Sequence, residues 1–414
     1  MIYRNAYIEN QKQLSDITTE GGRIVRIAPS DQTATKNANE TVDLGGKLVL
    51  PPFVDSHLHL DTTHTVDPAE SRGTLWSGIA FWSSYRDTVT KKSVKENAKK
   101  AVLSAVLRGV QHIRTHVDIC PARLTAMEAL LELKDELKKI VGLQIVAFPQ
   151  EGILSYPGNK ERIETALKMG ADAIGGVPHY EYTREYAAES MKYAVDLAVK
   201  TGKLIDVHCD ETDDDSSRGL ESLAAFALEA GIGDRVTASH TTAAGSYSDA
   251  YMNRLMRVLV KSKINFVANP LVNLHLQGRF DTFPKRRGLT RVRELTEAGL
   301  NVSFGQDDVK DPWYPMGNGD MINVVHTGLH ACHMTAYDDI LSSYKFVTVN
   351  GAKTLNLRGY GVAEGNPADF IVLNCADFYE AVSERAEVLY SIRNGEIIAS
   401  ATPCRRTLKA AGLF

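Results

Sequence analysis

Residues 52–61 read PFVDSHLHLD, an apolar run of strand length ending in two histidines two residues apart. In a strand, residues i and i+2 share a face, so His57 and His59 point together while Leu58 and Leu60 point away. Seven further runs have this build: HIRTHVDI (112–119), LQIVAFPQ (143–150), ADAIGGVPHY (171–180), KLIDVHCDE (203–211), RVTASHTT (235–242), INFVANPL (264–271) and NVSFGQDD (301–308). Segments with helical spacing of apolar residues separate most of them, among them 93–109, 124–139 and 182–202. Ser93 and Glu96 predict a capping box at the start of the first. Strand then helix, eight times over, predicts a (β/α)8 barrel. A doubly wound open sheet is the alternative, but the Gly-rich phosphate turn that usually follows its first strand is missing.

Both flanks differ from this middle. The first fifty residues are short alternating runs broken by Gly-Gly turns, and the last fifty repeat the pattern, with an Asn394-Gly395 hairpin turn. The expected organisation is a small β-sandwich domain from 1–50 and 361–414 around a catalytic barrel at 51–360.

Composition narrows the function. The chain has 414 residues, 43% hydrophobic and 24% charged, which suits a folded domain with an ample core. A net charge of -4 with scattered charges gives no footprint for nucleic acid or an anionic membrane; the one basic stretch, PKRRGLTRVR (284–293), reads as a solvated loop and helix start. Five cysteines without CxxC spacing suggest neither a disulfide framework nor a thiolate metal site. With no signal-like N-terminus and no span of membrane length, a cytoplasmic protein is expected.

Chemistry in such a barrel sits at the C-terminal strand ends. There the sequence sets His57 and His59 (strand one), His116 (two), Gln150 and Glu151 (three), His179 (four), His208 and Glu211 (five), His240 (six), and Asp307 and Asp308 (eight), with strand interiors expected to be apolar. Six of the twelve histidines thus share one rim. Protonated imidazoles there would repel one another, whereas a divalent cation takes them neutral and supplies the charge opposite a carboxylate. His57, His59, His208 and Asp307 are the expected ligands, an open set of nitrogen and oxygen donors suited to one Zn2+ or Fe2+.

These residues carry a resemblance. An HxH on strand one, a histidine on strands five and six, and an aspartate on strand eight resemble the amidohydrolase superfamily, and the stretches HLHLDTT, LQIVAFPQEGILSYP, LIDVHCDE, INFVANPLVNLHLQGRFDT and FGQDDVKDPWYP look most like bacterial cytosine deaminases. The resemblance implies hydrolytic deamination of a cyclic amidine, cytosine to uracil and ammonia, by a metal-bound hydroxide. Strand four has no lysine to bridge two metals, so a single-metal site is expected. The implied roles are Glu211 as the acid at the ring nitrogen, Asp307 as ligand and proton carrier, and His240 as a contact to the attacking water. Gln150, Asp308 and Trp313 are the implied substrate contacts. The fold that uses H-x-E with P-C-x-x-C is excluded, because no such cysteine pair exists. Gln306, Lys310 and the segment 66–78 depart from the family pattern and leave the substrate open among cytosine, 5-methylcytosine, isoguanine and creatinine. A non-catalytic metal-binding barrel is the rival from another class. The family also suggests a homo-oligomer.

Overall fold

A computed structural model describes residues 1–9, 11, 13–30, 41–66, 73–404 and 407, and the chain divides into two compact units, one from Met1–Pro51 with Gly361–Phe414 and the other from Pro52–Tyr360.

The second unit is a nearly closed barrel of eight parallel strands, numbered here β1 Phe53–Leu58, β2 Val110–Asp118, β3 Gly142–Phe148, β4 Ala173–Ile174, β5 Leu204–Cys209, β6 Val236–His240, β7 Asn265–Ala268 and β8 Asn301–Phe304. Each pairs with its neighbour in chain order, with helices between most of them. β4 is the shortest; just past its end Gly175 N–H still donates to the Ala147 carbonyl (2.9 Å), and an added Cβ there would lie 2.7 Å from that oxygen. The ring closes just past the strand ends: His59 N–H donates to the Asp307 carbonyl (3.0 Å) and Asp307 N–H to the His57 carbonyl (2.8 Å).

The helix Lys91–Val106 is capped by Thr90, which exchanges side-chain and backbone bonds with Ser93. The box expected at Ser93 and Glu96 therefore lies three residues earlier, because Thr90 holds the extended backbone that an N-cap requires.

The expectation of apolar strand interiors fails low in the barrel. Arg114 of β2 is fully buried and donates to Asp206 (2.8 Å), Thr237 (3.0 Å), Gln144 (2.7 Å) and the Thr354 carbonyl (2.8 Å). Asn301 reaches Asn265 (2.9 Å) and Thr354 (3.0 Å) nearby. Alternation along each strand sends every second residue inward, and here those residues form one satisfied polar layer.

In the first unit, Ile2–Ile8, Ser15–Glu20, Arg23–Pro29 and Leu48–Leu50 share one hydrogen-bonded path with Phe370–Leu373, Val388–Arg393 and Glu396–Ser400. The termini thus form a separate sheet, whose core packs Tyr3, Ile17 and Ile24 with Phe370 and Ile392. The Tyr3 ring meets Phe370 edge-on, centroids 5.0 Å apart. Asn394 and Gly395 make the hairpin turn with φ of 51° and 78°, the pair of positive values that a type I′ turn needs. Among the described residues no helix is long and apolar enough to cross a membrane.

Replacing Arg114 by Leu is expected to cost roughly 3–5 kcal/mol, since it leaves Asp206 buried and unpaired. Lys92→Ala, which breaks an exposed pair with Glu96, should cost within about 0.5 kcal/mol. Denaturant unfolding of the two variants beside the parent checks the contrast.

Candidate active site

Above the polar layer the strand ends bring imidazoles together. His208 Nε2 at the end of β5 lies 3.0 Å from His59 Nε2 and 3.3 Å from His57 Nε2, and His240 Nε2 is 3.3 Å from His57 Nε2. Asp307 Oδ1 is 3.4 Å from His57 Nε2 and 3.6 Å from His59 Nε2. Ligands held about 2.0–2.1 Å from one tetrahedral ion stand roughly 3.3–3.4 Å apart, so these spacings suit a single shared cation. His57, His208, His240 and Asp307 present donor atoms all within 4.8 Å of one another. That set shares three members with the expected one and exchanges His59 for His240.

Burial, then the neighbouring imidazoles, pushes the pKa values of His57, His59 and His208 well below the ordinary histidine range. His240 shifts the same way. All are therefore neutral near pH 7, the form that binds metal. Asp307 goes the other way, raised by burial first and then by Glu211 and other nearby carboxylates, which a cation would reverse. His57 is backed by His116, ring centroids 4.0 Å apart, and Phe148 stacks on His208 at 4.1 Å.

Several of these residues hold unusual backbone. Asp210, His240, Thr241 and Asp307 all have positive φ (50°, 67°, 46° and 70°). Such conformations in non-glycine residues cost about 1–3 kcal/mol each and gather at sites where side-chain direction matters. At Asp210 the turn is fixed by its own carboxylate, which accepts from Gly219 N (2.9 Å) and Leu220 N (2.8 Å) at the start of the next helix. The following residue, Glu211, consequently faces the cluster, its Oε1 3.4 Å from His240 Nδ1. Burial raises its pKa to about 8, so Glu211 carries a proton at neutral pH.

One pocket opens over the cluster. His59, His208, Glu211, His240 and Asp307 form its floor, and Gln150, His179, Asp308 and Trp313 stand around it. Its apolar wall comes from Leu75, Ile79, Phe148 and Leu276. The residues expected to act on or contact the substrate thus line one pocket, and His57 stands in the donor cluster at its floor. Of the histidines left without a role, His179 accepts Glu211 N–H (3.3 Å), and His64 lies outside the pocket lining. Two departures from the family pattern also lie outside that lining. Gln306 is buried and ties its own loop, bonding the Asp308 carbonyl (3.3 Å) and Gly319 N–H (3.1 Å), while Lys310 is exposed. Of the third, residues 67–72 lie outside the described residues.

The sequence reading missed the amides beside His240. Asn273 Nδ2 is 3.0 Å from His240 Nδ1, and its Oδ1 accepts Asn269 N–H (3.3 Å), which fixes the amide's direction. The stretch ANPLVN carried that signal, with Pro270 opening a helix and two Asn one turn apart.

A family model described as amidohydrolase family matches residues 40–399, and the chain belongs to that family, whose members depend on a metal. The crystal structure of 5-methylcytosine deaminase from Klebsiella pneumoniae liganded with 5-fluorocytosine superposes with a TM-score of 0.96 at 46% identity, covering 99% of each chain. N-isopropylammelide isopropyl amidohydrolase from Pseudomonas sp. (strain ADP) is 31% identical over 96% of this chain and 96% of its own length. Pterin deaminase from Rhizobium rhizogenes is 26% identical over 95% of this chain and 90% of its own. The chain is accordingly an enzyme of the amidohydrolase family.

The pocket wall depends on one glycine. The helix Leu75–Tyr85 is fastened at its start by a capping box between Thr74 and Ser77. Just past its end Arg86 pairs with Asp118 (3.2 Å) and Glu151. Gly78 faces the Trp313 indole, and a Cβ there would lie 2.4 Å from Trp313 Cδ1. With the helix held at both ends, the indole must yield. Gly78→Ala should therefore lower kcat/KM by at least ~10-fold, although alanine favours the helix itself by about 1 kcal/mol. Adding Trp313→Phe should recover part of the loss. Steady-state kinetics with metal content measured in parallel checks both, and unchanged kinetics for Gly78→Ala would refute the contact's importance.

Proposed function

We propose that this enzyme is a single-metal cytosine deaminase, converting cytosine and water to uracil and ammonia. The reading is carried by one observation: a buried carboxyl, Glu211, whose pKa burial pushes up to about 8, stands beside a cluster of buried imidazoles and Asp307 at the floor of a pocket lined by Gln150. His57, His59, His208 and Asp307 would hold one Zn2+ or Fe2+. His240 is left out of that set because the Asn273 amide donates to its Nδ1, which puts the neutral ring's proton on Nε2, the nitrogen that faces the cluster. When bound, the ion supplies Lewis acidity that makes water a nucleophile near neutral pH.

The remaining steps belong to side chains. Gln150 donates to the ring carbonyl at position 2 and accepts from the adjacent N1–H, orienting the ring. Glu211 delivers its proton to N3 as C4 is attacked, which draws electrons away from the amidine carbon. Asp307 takes the proton released by the attacking water and passes it to the exocyclic nitrogen, so that ammonia departs. His240 hydrogen-bonds the water during attack. As ammonia leaves, the second proton of the attacking water, still on the C4 hydroxyl, returns to Glu211 and the C4 carbonyl forms, so one water is consumed, one ammonia leaves and both carboxyl groups regain their starting state.

Strand order supports cytosine over its 5-methyl analogue. With C4 beside Asp307, N3 toward Glu211 on the β5 side and N1 toward Gln150 on the β3 side, the C5 edge turns to the β8 side. Asp308 lines the pocket there, a buried carboxyl whose pKa is raised by burial and then by Asp311 and Asp307. A methyl group would be pressed on that polar group, which it cannot satisfy. The 46% identity to a 5-methylcytosine deaminase keeps 5-methylcytosine as the second reading.

A base panel with ammonia detection tests the choice: cytosine should lead, and metal-replete protein that releases ammonia from no base would overturn the proposal. Asp308→Ala should raise the ratio of 5-methylcytosine to cytosine turnover by about 10-fold or more, the scale on which one methyl group is discriminated. Glu211→Gln should keep metal in inductively coupled plasma mass spectrometry yet lose at least ~100-fold in kcat. Because Glu211 must be protonated to act, kcat/KM should fall as pH rises through about 8. A profile flat to pH 10 would remove Glu211 from the acid's role.

A further inference from the structure

The loop that carries Gln150 is held by a carboxylate with no part in the chemistry above. Glu181 follows the turn Pro178–Tyr180, of which His179 and Tyr180 line the pocket. Its side chain is buried and points at the backbone of residues 153–155. Oε1 accepts from Ile153 N (2.6 Å) and Leu154 N (3.1 Å), while Oε2 accepts from Ser155 N (2.9 Å) and Ser155 Oγ (2.7 Å). Ser155 Oγ accepts in turn from Tyr182 N–H (2.8 Å), tying the two loops a second time. Among the described residues no Lys, Arg or His pairs with Glu181; a row of successive N–H groups receives its charge instead, the arrangement of an anion-binding nest. Gly152 is shaped to it, with φ of +93° and only 2.9 Å between a would-be Cβ and Glu181 Oε2.

The other flank is gripped by opposite charge. Arg86 pairs with Glu151, the residue next to Gln150, and its Nη2 is 3.4 Å from the Tyr156 hydroxyl. Residues 151–156 are thus held by a cation at their two ends and an anion at their middle. Gln150, just before them, inherits its direction from a backbone that cannot slide.

We propose that Glu181 is a positioning residue: by fixing the 153–155 backbone it aims the Gln150 amide and so sets how tightly the pocket reads the carbonyl and N–H edge of a ring. The proposal deepens the deaminase reading and rests on Gln150 touching the substrate.

The test is a double-mutant cycle on the metal-loaded enzyme with cytosine, using Gln150→Ala, Glu181→Gln and the pair. Glu181→Gln keeps the size but turns an NH2 toward the N–H row. It should raise KM by ~10-fold or more with kcat changed less and metal content unchanged, since a misplaced contact in a pocket is costly while the floor is untouched. In the Gln150→Ala background the same substitution should change kcat/KM less than twofold, because residues that act through one another do not add. Ser155→Ala, which removes the hydroxyl that donates to Glu181 and accepts from Tyr182 N–H but leaves the backbone donors to Glu181 in place, should show the same dependence at smaller amplitude and covers the case in which Glu181→Gln does not fold. Equal losses in both backgrounds, or metal lost in step with activity, would overturn the positioning role. A Gln150→Ala enzyme with unchanged kinetics would instead overturn the reading of Gln150 itself, so the two failures separate.

Discussion

Two backbone hydrogen bonds, from His59 to Asp307 and from Asp307 to His57, close the barrel and assemble its site together. β1 and β8 are the ends of the strand series, and a bridge between Leu58 and Asp307 joins them just past β8. To make it, Asp307 adopts a φ of 70°, which its neighbours in β8 avoid. The strain is offset by the closure it allows, and the same turn sets the carboxylate 3.4 Å from the His57 ring nitrogen. Had the chain stayed extended, strand alternation would have carried this side chain to the other face.

Depth orders the charges above and below that seam. At the bottom an ionised pair, Arg114 with Asp206, is surrounded by hydroxyl and carbonyl partners and takes little from the site except through His116, whose Nε2 lies 3.5 Å from Asp206. Higher up, low polarity drives imidazole and carboxyl groups in opposite directions toward the same outcome, since burial disfavours whichever form is charged. Histidines lose protons while Glu211 keeps one, and Asp55 is likewise raised to about 7. Neutral imidazoles can receive a cation without first losing protons, while the raised carboxyl of Asp307 gives up its proton to the ion.

Fold and floor were legible in the sequence because both repeat locally. A strand is a short apolar run, and its last residue marks a rim position, so counting eight runs also located His57, His59, His208, Glu211, His240 and Asp307. The inward polar layer was not legible, since Arg114 in HIRTHVDI looks no different from an outward-facing arginine until alternation is fixed by pairing. The capping box slid to Thr90 because Ser and Thr both qualify and only backbone conformation chooses between them. Glu181 gave no signal at all: its partners are main-chain N–H groups, which every residue but proline owns and no sequence pattern reports. Gln306 misled for the related reason that a change at a rim position need not face the pocket.

Reaction and recognition are built from different material in this enzyme. The floor histidines sit at or next to strand ends, Asp307 is held by its bridge to Leu58 and Glu211 by the turn at Asp210, whereas Gln150, Asp308 and Trp313 lie beyond the strands. Every such loop is pinned by a buried carboxylate instead: Glu181 holds 153–155, and Asp311 accepts from Trp313 N and Tyr314 N (3.0 Å each) as well as from the Thr62 hydroxyl (2.8 Å). A pin of this kind fixes a loop without filling the pocket, because the charge is spent on backbone donors behind it. Substitutions on the pocket side can then change which ring is accepted while the pin keeps the loop in place and the floor stays as it is. On the deaminase reading proposed above, that separation would let changes confined to the loops alter the ring accepted while the floor stays as it is.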